Sequence, residues 1–171
     1  ADRCVAVTPS DTAPALVALE AVMVIQNSDG IREVAAENFF IGPDIDIERT
    51  TVLESGDILT SIKIPAKWAG ANYYFEKVAD RATWDFALVN IASVLRMSGN
   101  TIEDLRIVCG GVECIPRRLN VVEDIVRGSN RDTETLELAA GAAARGATTL
   151  NYNHFKIPLM QNLVKRSIRD S

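Results

Sequence analysis

Few side chains in this sequence have the type and spacing to carry out chemistry unaided. His154 is the only histidine, which removes a Ser-His-Asp triad and any histidine-rich metal site. Asp80, Arg81 and Asp85 gather around Trp84 between two stretches of strand character. Such a cluster is either a solvated charged loop or a functional one. Cys109 and Cys114 flank Gly110-Gly111-Val112-Glu113; two thiolates cannot hold zinc or an iron–sulfur cluster by themselves, so buried structural cysteines are expected. The paired glycines mark a strand-end turn or a close approach of backbones. They do not make a phosphate loop, because neither a G-x-G-x-x-G nor a Walker pattern surrounds them. Asp11 falls in the first turn of a helix, where a carboxylate is stabilised by about 0.3–1 kcal/mol with no ligand present. His154, near the start of a later helix, reads as a capping or surface residue.

The elements that would position these residues follow from pattern. Thr8-Pro9-Ser10-Asp11 is a helix start before the apolar run 13–19, with Pro14 in the first turn, where a missing amide costs little. Residues 21–26 read as a buried strand, Asn27-Ser28-Asp29-Gly30 as a hairpin turn and 31–34 as its antiparallel return. A helical turn at 36–40 places two phenylalanines, 45–53 is a polar loop, and 58–64 alternates like a strand up to Pro65. Past a boundary at 65–70 three strands are expected, at 73–78, 87–97 and 102–109, the last two joined by the tight turn Ser98-Gly99-Asn100. Helices follow at about 119–127, 133–147 and 152–169. The middle one is alanine-rich, and Gly141 weakens it by roughly 1 kcal/mol relative to alanine. The fold class is therefore α+β, ending in a three-stranded antiparallel sheet with three helices on one face.

Composition restricts the function classes. The 171 residues are 47% hydrophobic and 24% charged, the range of ordinary globular protein. A net charge of −5 with interspersed signs, and no basic run longer than a dipeptide, argues against nucleic acid or a membrane surface as partner. No stretch has transmembrane length, and no charged-then-apolar signal segment opens the chain. Three cysteines without a regular framework predict reduced thiols in a cytoplasmic setting. The sequence begins at Ala1-Asp2-Arg3-Cys4 without methionine, as a fragment or processed product would.

The order of segments carries a resemblance that no single segment does. Ser10-Asp11-Thr12-Ala13-Pro14-Ala15-Leu16-Val17-Ala18-Leu19-Glu20-Ala21 resembles a helix of the flavin domain of molybdenum hydroxylases, the xanthine dehydrogenase and carbon monoxide dehydrogenase type. Phe39-Phe40-x-Gly42, the stretch from Thr51 through Gly56-Asp57-Ile58-Leu59, and Ile62-Lys63-Ile64-Pro65 follow at the expected distances. Phe75-Glu76-Lys77, Asp85-Phe86-Ala87-Leu88-Val89 and Gly110-Gly111-Val112 complete the set, which spans about residues 9–118. The stretch Arg81 to Val89, with Cys4 ahead of Thr8-Pro9-Ser10-Asp11, is most similar to the bacterial aldehyde-oxidoreductase and 4-hydroxybenzoyl-CoA-reductase branch.

That resemblance implies the C-terminal part of an FAD-binding α/β domain at 1–65, followed by the C-terminal α+β domain of a flavoprotein subunit at 70–171. Such a subunit takes electrons from a partner carrying [2Fe–2S] clusters and passes them to an external acceptor, while a molybdopterin-binding partner performs the substrate chemistry. It further implies that Asp11 bonds polar atoms of the flavin, that Leu59 packs on the isoalloxazine, and that Lys77 approaches the ring from the second domain. The residue-level alternatives are a core leucine for Leu59 and a solvated strand-end lysine for Lys77. The glycine-rich segments that would grip the pyrophosphate belong to an N-terminal lobe upstream of this sequence. In the branch it resembles, upstream cysteines hold a [4Fe–4S] cluster; Cys4 is either a ligand of it or an unpaired thiol. Two other readings are a subunit-assembly module without its own cofactor and an unrelated α+β enzyme. A lone histidine and the lack of a nucleophile–base pair count against the last.

Overall fold

The computed structural model describes residues 4–171; the first three positions of the expected 1–65 domain lie outside the described residues. Chain order is α1 (Thr12–Ala18), the hairpin β1 (Val22–Asn27) and β2 (Gly30–Ala35), α2 (Ala36–Phe39), β3 (Ile58–Lys63), a 3-10 turn (Ala66–Trp68), β4 (Asn72–Val78), β5 (Val89–Ser98), β6 (Thr101–Gly110), β7 (Arg117–Arg118), α3 (Asn120–Val126), α4 (Thr133–Ala143) and α5 (Lys156–Arg169). Two antiparallel sheets result, one ordered β2-β1-β3 and the other β4-β5-β6-β7. No helix among the described residues is long and apolar enough to cross a membrane.

The second sheet divides its residues between two faces, alternately along each strand except where the register shifts at Arg96 and Met97. Val89, Ile91 and Leu95 of β5, with Ile102, Leu105, Ile107 and Cys109 of β6, face α3, α4 and α5 and are fully buried with them. The opposite face carries smaller or polar side chains, Asn90 and Ala92 on β5 and Arg106, Val108 and Gly110 on β6. That face accepts α1, which packs across β5 and β6. Ala92 and Val108 thereby join Val17, Ala18, Ala21, Met23, Ile25 and Phe39 in a second core shared with the first sheet. Small side chains let the helix approach: a Cβ built on Gly110 would lie 2.9 Å from Pro14 Cγ and 2.1 Å from Asn90 Oδ1.

Several boundaries differ from the sequence-based expectation. The last sheet has a fourth strand, because two residues of β7 pair with Val108 and Cys109. The strand expected from 87 starts at Val89, since Ala87 and Leu88 instead present their carbonyls to the left-handed turn at Gly111 (φ +76°). The alanine-rich helix ends at Ala143 rather than 147, and Gly146 (φ +75°) turns the chain away. The last helix begins at Lys156 rather than 152. The preceding residues form turns instead, with Asn153 Oδ1 accepting from Leu150 N–H (2.6 Å) and Asn153 O from Lys156 N–H (3.0 Å). Cys109 is buried as expected, and burial pushes its thiol up to about 12. Cys114 is only half-buried and donates to Ala6 O (2.8 Å), which holds the 4–9 segment against the loop after β6.

Candidate functional site

The N-terminal end of α1 meets the second sheet at a row of three cross-strand neighbours, Lys77 on β4, Asn90 on β5 and Gly110 on β6. Ser10, not Asp11, caps α1: its Oγ accepts from Ala13 N–H (3.1 Å), and Asp11 makes no capping bond. The Asp11 carboxylate is left to point at the sheet. Lys77 Nζ donates to Asp11 Oδ2 (2.7 Å) and to the Asp85 carbonyl (2.6 Å). Asn90 Nδ2 donates to Asp11 Oδ1 (3.2 Å). This bond fixes the Asn90 amide orientation, since the reverse would set two acceptors against each other. Asn90 Oδ1, turned toward Gly110, is buried without a partner among the described residues.

Two of the three expected site residues are therefore joined directly. Leu59 takes no part in that hydrogen-bonded cluster; on β3 it stands opposite Ile25 of β1 and packs against the core shared by α1 and the first sheet. The turn leading into β3 is held by Asp57, whose carboxylate accepts from Arg32 Nη1 and Nη2 (2.8 and 2.6 Å), Asn27 Nδ2 (3.0 Å) and Glu54 N–H (2.8 Å). Those bonds, Arg32 foremost, hold the Asp57 carboxyl far below the usual carboxylate range.

Beside the Asp11–Lys77 pair runs the loop at 79–86, where Asp80, Arg81 and Asp85 are found. Asp85 Oδ2 accepts from Arg81 N–H (2.9 Å) and Arg81 Nη2 donates to Trp84 O (2.8 Å). The first of these, with the Arg81 charge, lowers the Asp85 carboxyl. At the loop's tip Trp84 is left-handed (φ +56°) with its side chain 94% exposed, and Phe86 and Phe75 are exposed as well. A left-handed tryptophan costs on the order of 1–2 kcal/mol. Trp84 gains no compensating burial among the described residues.

A second constellation escaped the sequence reading. α1 ends in a Schellman turn, with Ala21 N–H bonded to Leu16 O (2.9 Å), Glu20 N–H to Val17 O (3.2 Å) and Glu20 itself left-handed (φ +55°). Glycine is usual there; here the glutamate is kept by its side chain. Its carboxylate accepts from Trp68 Nε1 (2.7 Å), pairs with Lys67 (2.7 Å) and lies 3.6 Å from Arg106. Buried Arg106 also pairs with Glu37 (3.0 Å) and donates to Val17 O (2.9 Å); Glu37 pairs with Arg118, and Arg118 with fully buried Glu123 (2.8 Å). Burial works to raise the Glu20 and Glu37 carboxyls, but hydrogen bonds and charges from Lys67, Trp68, Arg106 and Arg118 outweigh it and leave both lowered. Among the described residues no group of three or more His, Cys, Asp or Glu could hold a metal.

Comparison with known proteins identifies the family. A family model described as "FAD binding domain in molybdopterin dehydrogenase" matches residues 4–67. Another, "CO dehydrogenase flavoprotein C-terminal domain", matches residues 73–171. The chain belongs to the flavoprotein-subunit family of the molybdenum hydroxylases. Among curated members of this family, it is 30% identical to the nicotine 6-hydroxylase medium subunit of Paenarthrobacter nicotinovorans over 90% of this chain and 53% of that one. It is 33% identical to the carbon monoxide dehydrogenase medium chain of Hydrogenophaga pseudoflava over 79% of this chain and 45% of that one. The solved structure of the Hydrogenophaga pseudoflava carbon monoxide dehydrogenase that lacks the Mo-pyranopterin moiety superposes with a TM-score of 0.83 at 28% identity. It covers 94% of this chain and 55% of that one. The chain thus spans about half the length of the family members it matches.

Proposed function

We propose that this chain is the flavin-flanking part of an FAD-dependent oxidoreductase subunit. In this reading its Asp11, Lys77 and Leu59 meet the flavin, and the pyrophosphate is held by an N-terminal lobe that this sequence does not contain. The observation that carries the reading is the partly exposed Asp11–Lys77 pair at the end of α1, with exposed aromatic side chains beside it. The donor set fits the group. A flavin presents ring N–H donors, ring carbonyl acceptors and ribityl hydroxyls around an apolar plane. Asp11 supplies an acceptor, Lys77 retains a third N–H, and Phe75, Trp84 and Phe86 supply apolar surface. When bound, FAD provides the electron-transfer chemistry, and the protein provides position and field. Lys77 places a positive charge where an electron-rich reduced ring is stabilised, and Asp11 and the Asp85 carbonyl hold that ammonium in place. Leu59 contributes apolar contact from the first sheet.

The two family matches, on either side of residues 68–72, support the division into an FAD-domain remainder at 1–65 and a C-terminal domain at 70–171. The wider reading is a cytoplasmic complex in which electrons pass from an iron–sulfur subunit through FAD to an external acceptor. A molybdopterin-binding subunit acts on the substrate, and neither nucleic acid nor membrane is a partner. The names of the relatives, medium chains of multi-subunit enzymes, support that arrangement.

The test is flavin released by acid from the complete gene product, assayed with iron on the same sample. About one FAD per chain is expected, with Lys77→Met and Asp11→Asn each weakening FAD by about tenfold through loss of a charge-assisted bond. Folded protein without flavin overturns the redox reading. If the variants keep wild-type flavin content, spectrum and reduction rate, the chain is a subunit-assembly module instead. That second reading draws on one observation: Ile31, Ile58, Ile62 and Ile64 are exposed on or next to the first sheet.

A further inference from the structure

Away from the Asp11–Lys77 pair, a cavity of about 200 Å³ opens between the end of α4, the turns before α5 and the loop leading to β7. Its polar lining is unlike that of the flavin-flanking site. Arg117, Arg145 and Lys156 supply three cations, Thr148 and Thr149 two hydroxyls, and Asn153 an amide. Among the described residues Glu113 is the single carboxylate in the wall, and it is committed to Arg117. Arg145 forms no ion pair among the described residues, and Lys156 has a backbone carbonyl, Gly111 O at 2.7 Å, as its bonding partner. Asn153 uses its Oδ1 on Leu150 N–H, so its Nδ2 donors remain for the cavity.

A half-buried ammonium whose hydrogen bond goes to a neutral carbonyl is expensive, and burial lowers the Lys156 pKa. Natural structures accept that cost where a ligand of opposite charge completes the site. The volume suits a tetrahedral oxyanion, and the wall offers it donors of three kinds with an excess of positive charge. We propose that this cavity is a binding site for a phosphate group, recognised by Lys156 and Arg145 with Thr148, Thr149 and Asn153 donating to its oxygens. Inorganic phosphate and the terminal phosphate of a nucleotide share this chemistry.

Inorganic phosphate is the first probe, titrated by calorimetry into the complete gene product at constant ionic strength, with chloride as the reference salt. Saturable binding is expected in wild type, weakened about tenfold or more in Lys156→Met and in Arg145→Met. Wild-type affinity is expected in Arg166→Met, a cation change on the far turns of α5. Arg145 is exposed and makes no ion pair among the described residues, so its variant reports on the site even if Lys156→Met, which releases Gly111, misfolds. ADP in place of phosphate identifies the source: tighter binding that phosphate displaces assigns a nucleotide, and weaker binding assigns the free ion. Absence of saturable phosphate binding up to about 10 mM, a range corresponding to less than about 3 kcal/mol, overturns the proposal. So does equal binding by wild type and Arg145→Met.

Discussion

Ser10 and Asp11 show how neighbouring residues of similar helix-capping aptitude come to do different things. Either could have bonded the free amides of α1. Ser10 does so, and the longer carboxylate turns outward to Lys77 and Asn90. The choice depends on Gly110, whose missing side chain admits both Pro14 and the Asn90 amide. Gly110→Ala places a methyl group 2.1 Å from Asn90 Oδ1, so the amide or the helix must move. A loss of about 1–3 kcal/mol is expected from overpacking, read from urea denaturation. In an Asn90→Ala background the same substitution should cost less, since only the Pro14 contact remains. Equal cost in both backgrounds would show that the amide is not what the glycine accommodates. At this scale the sequence was informative only in part. The paired glycines were readable as a close approach, but Asn90 carried no local signal. Asp11 and Lys77, 66 residues apart, could be linked only through the resemblance and not through any spacing.

The hairpins, whose turns are decided locally, matched expectation, and two features decided by distant partners did not. Both hairpins were legible because the turn residues that close them, Asn27 to Gly30 and Ser98 to Asn100, have the conformational freedom such turns require. β7 was not, because its two arginines pair with a strand only through the loop that returns them to β6. The charged chain from Glu20 through Arg106, Glu37 and Arg118 to Glu123 was equally hidden, its members lying on α1's end, β6, α2, β7 and α3. Arg106 is its centre, and Arg106→Met leaves two carboxylates without their shared cation. Removing one partner from a fully buried pair costs about 3–5 kcal/mol. Glu20 and Glu37 retain some solvent, so the lower end, about 3 kcal/mol, is expected. The measurement is the denaturation midpoint. A change below about 0.5 kcal/mol, the size of ordinary surface substitutions, would mean the network contributes little to stability.

For the whole molecule, the same carboxylates set the response to acid. Glu20 and Glu37 have folded-state pKa values below the ordinary glutamate value of 4.5, so each binds protons more weakly folded than unfolded. Their contribution is fully present above that value and is lost as pH falls through the lower, folded values. Asp46, lowered to about 2 chiefly by Arg49, and Asp57, lowered further by Arg32, extend the loss to more acid conditions. Stability should be level between about pH 7 and 5 and should decline below about 4.5, by urea titrations at stepped pH. In Arg106→Met the upper part of that decline should flatten while the more acid part persists. An unchanged slope would separate the two glutamates from the acid response.

The position of α1 has a bearing on how such chains can be cut and recombined. Recognisable sequence families meet between residues 67 and 73, and a builder of chimaeras would splice there. Packing follows another seam: α1, from the first segment, lies on β5 and β6 of the second, and Ala92 and Val108 complete a core begun by Val17 and Met23. A graft made at the sequence junction would bring together two surfaces that never matched one another's volumes. Moving α1 together with β5 and β6 would keep that joint intact, and a change of volume on one side calls for a matching change on the other.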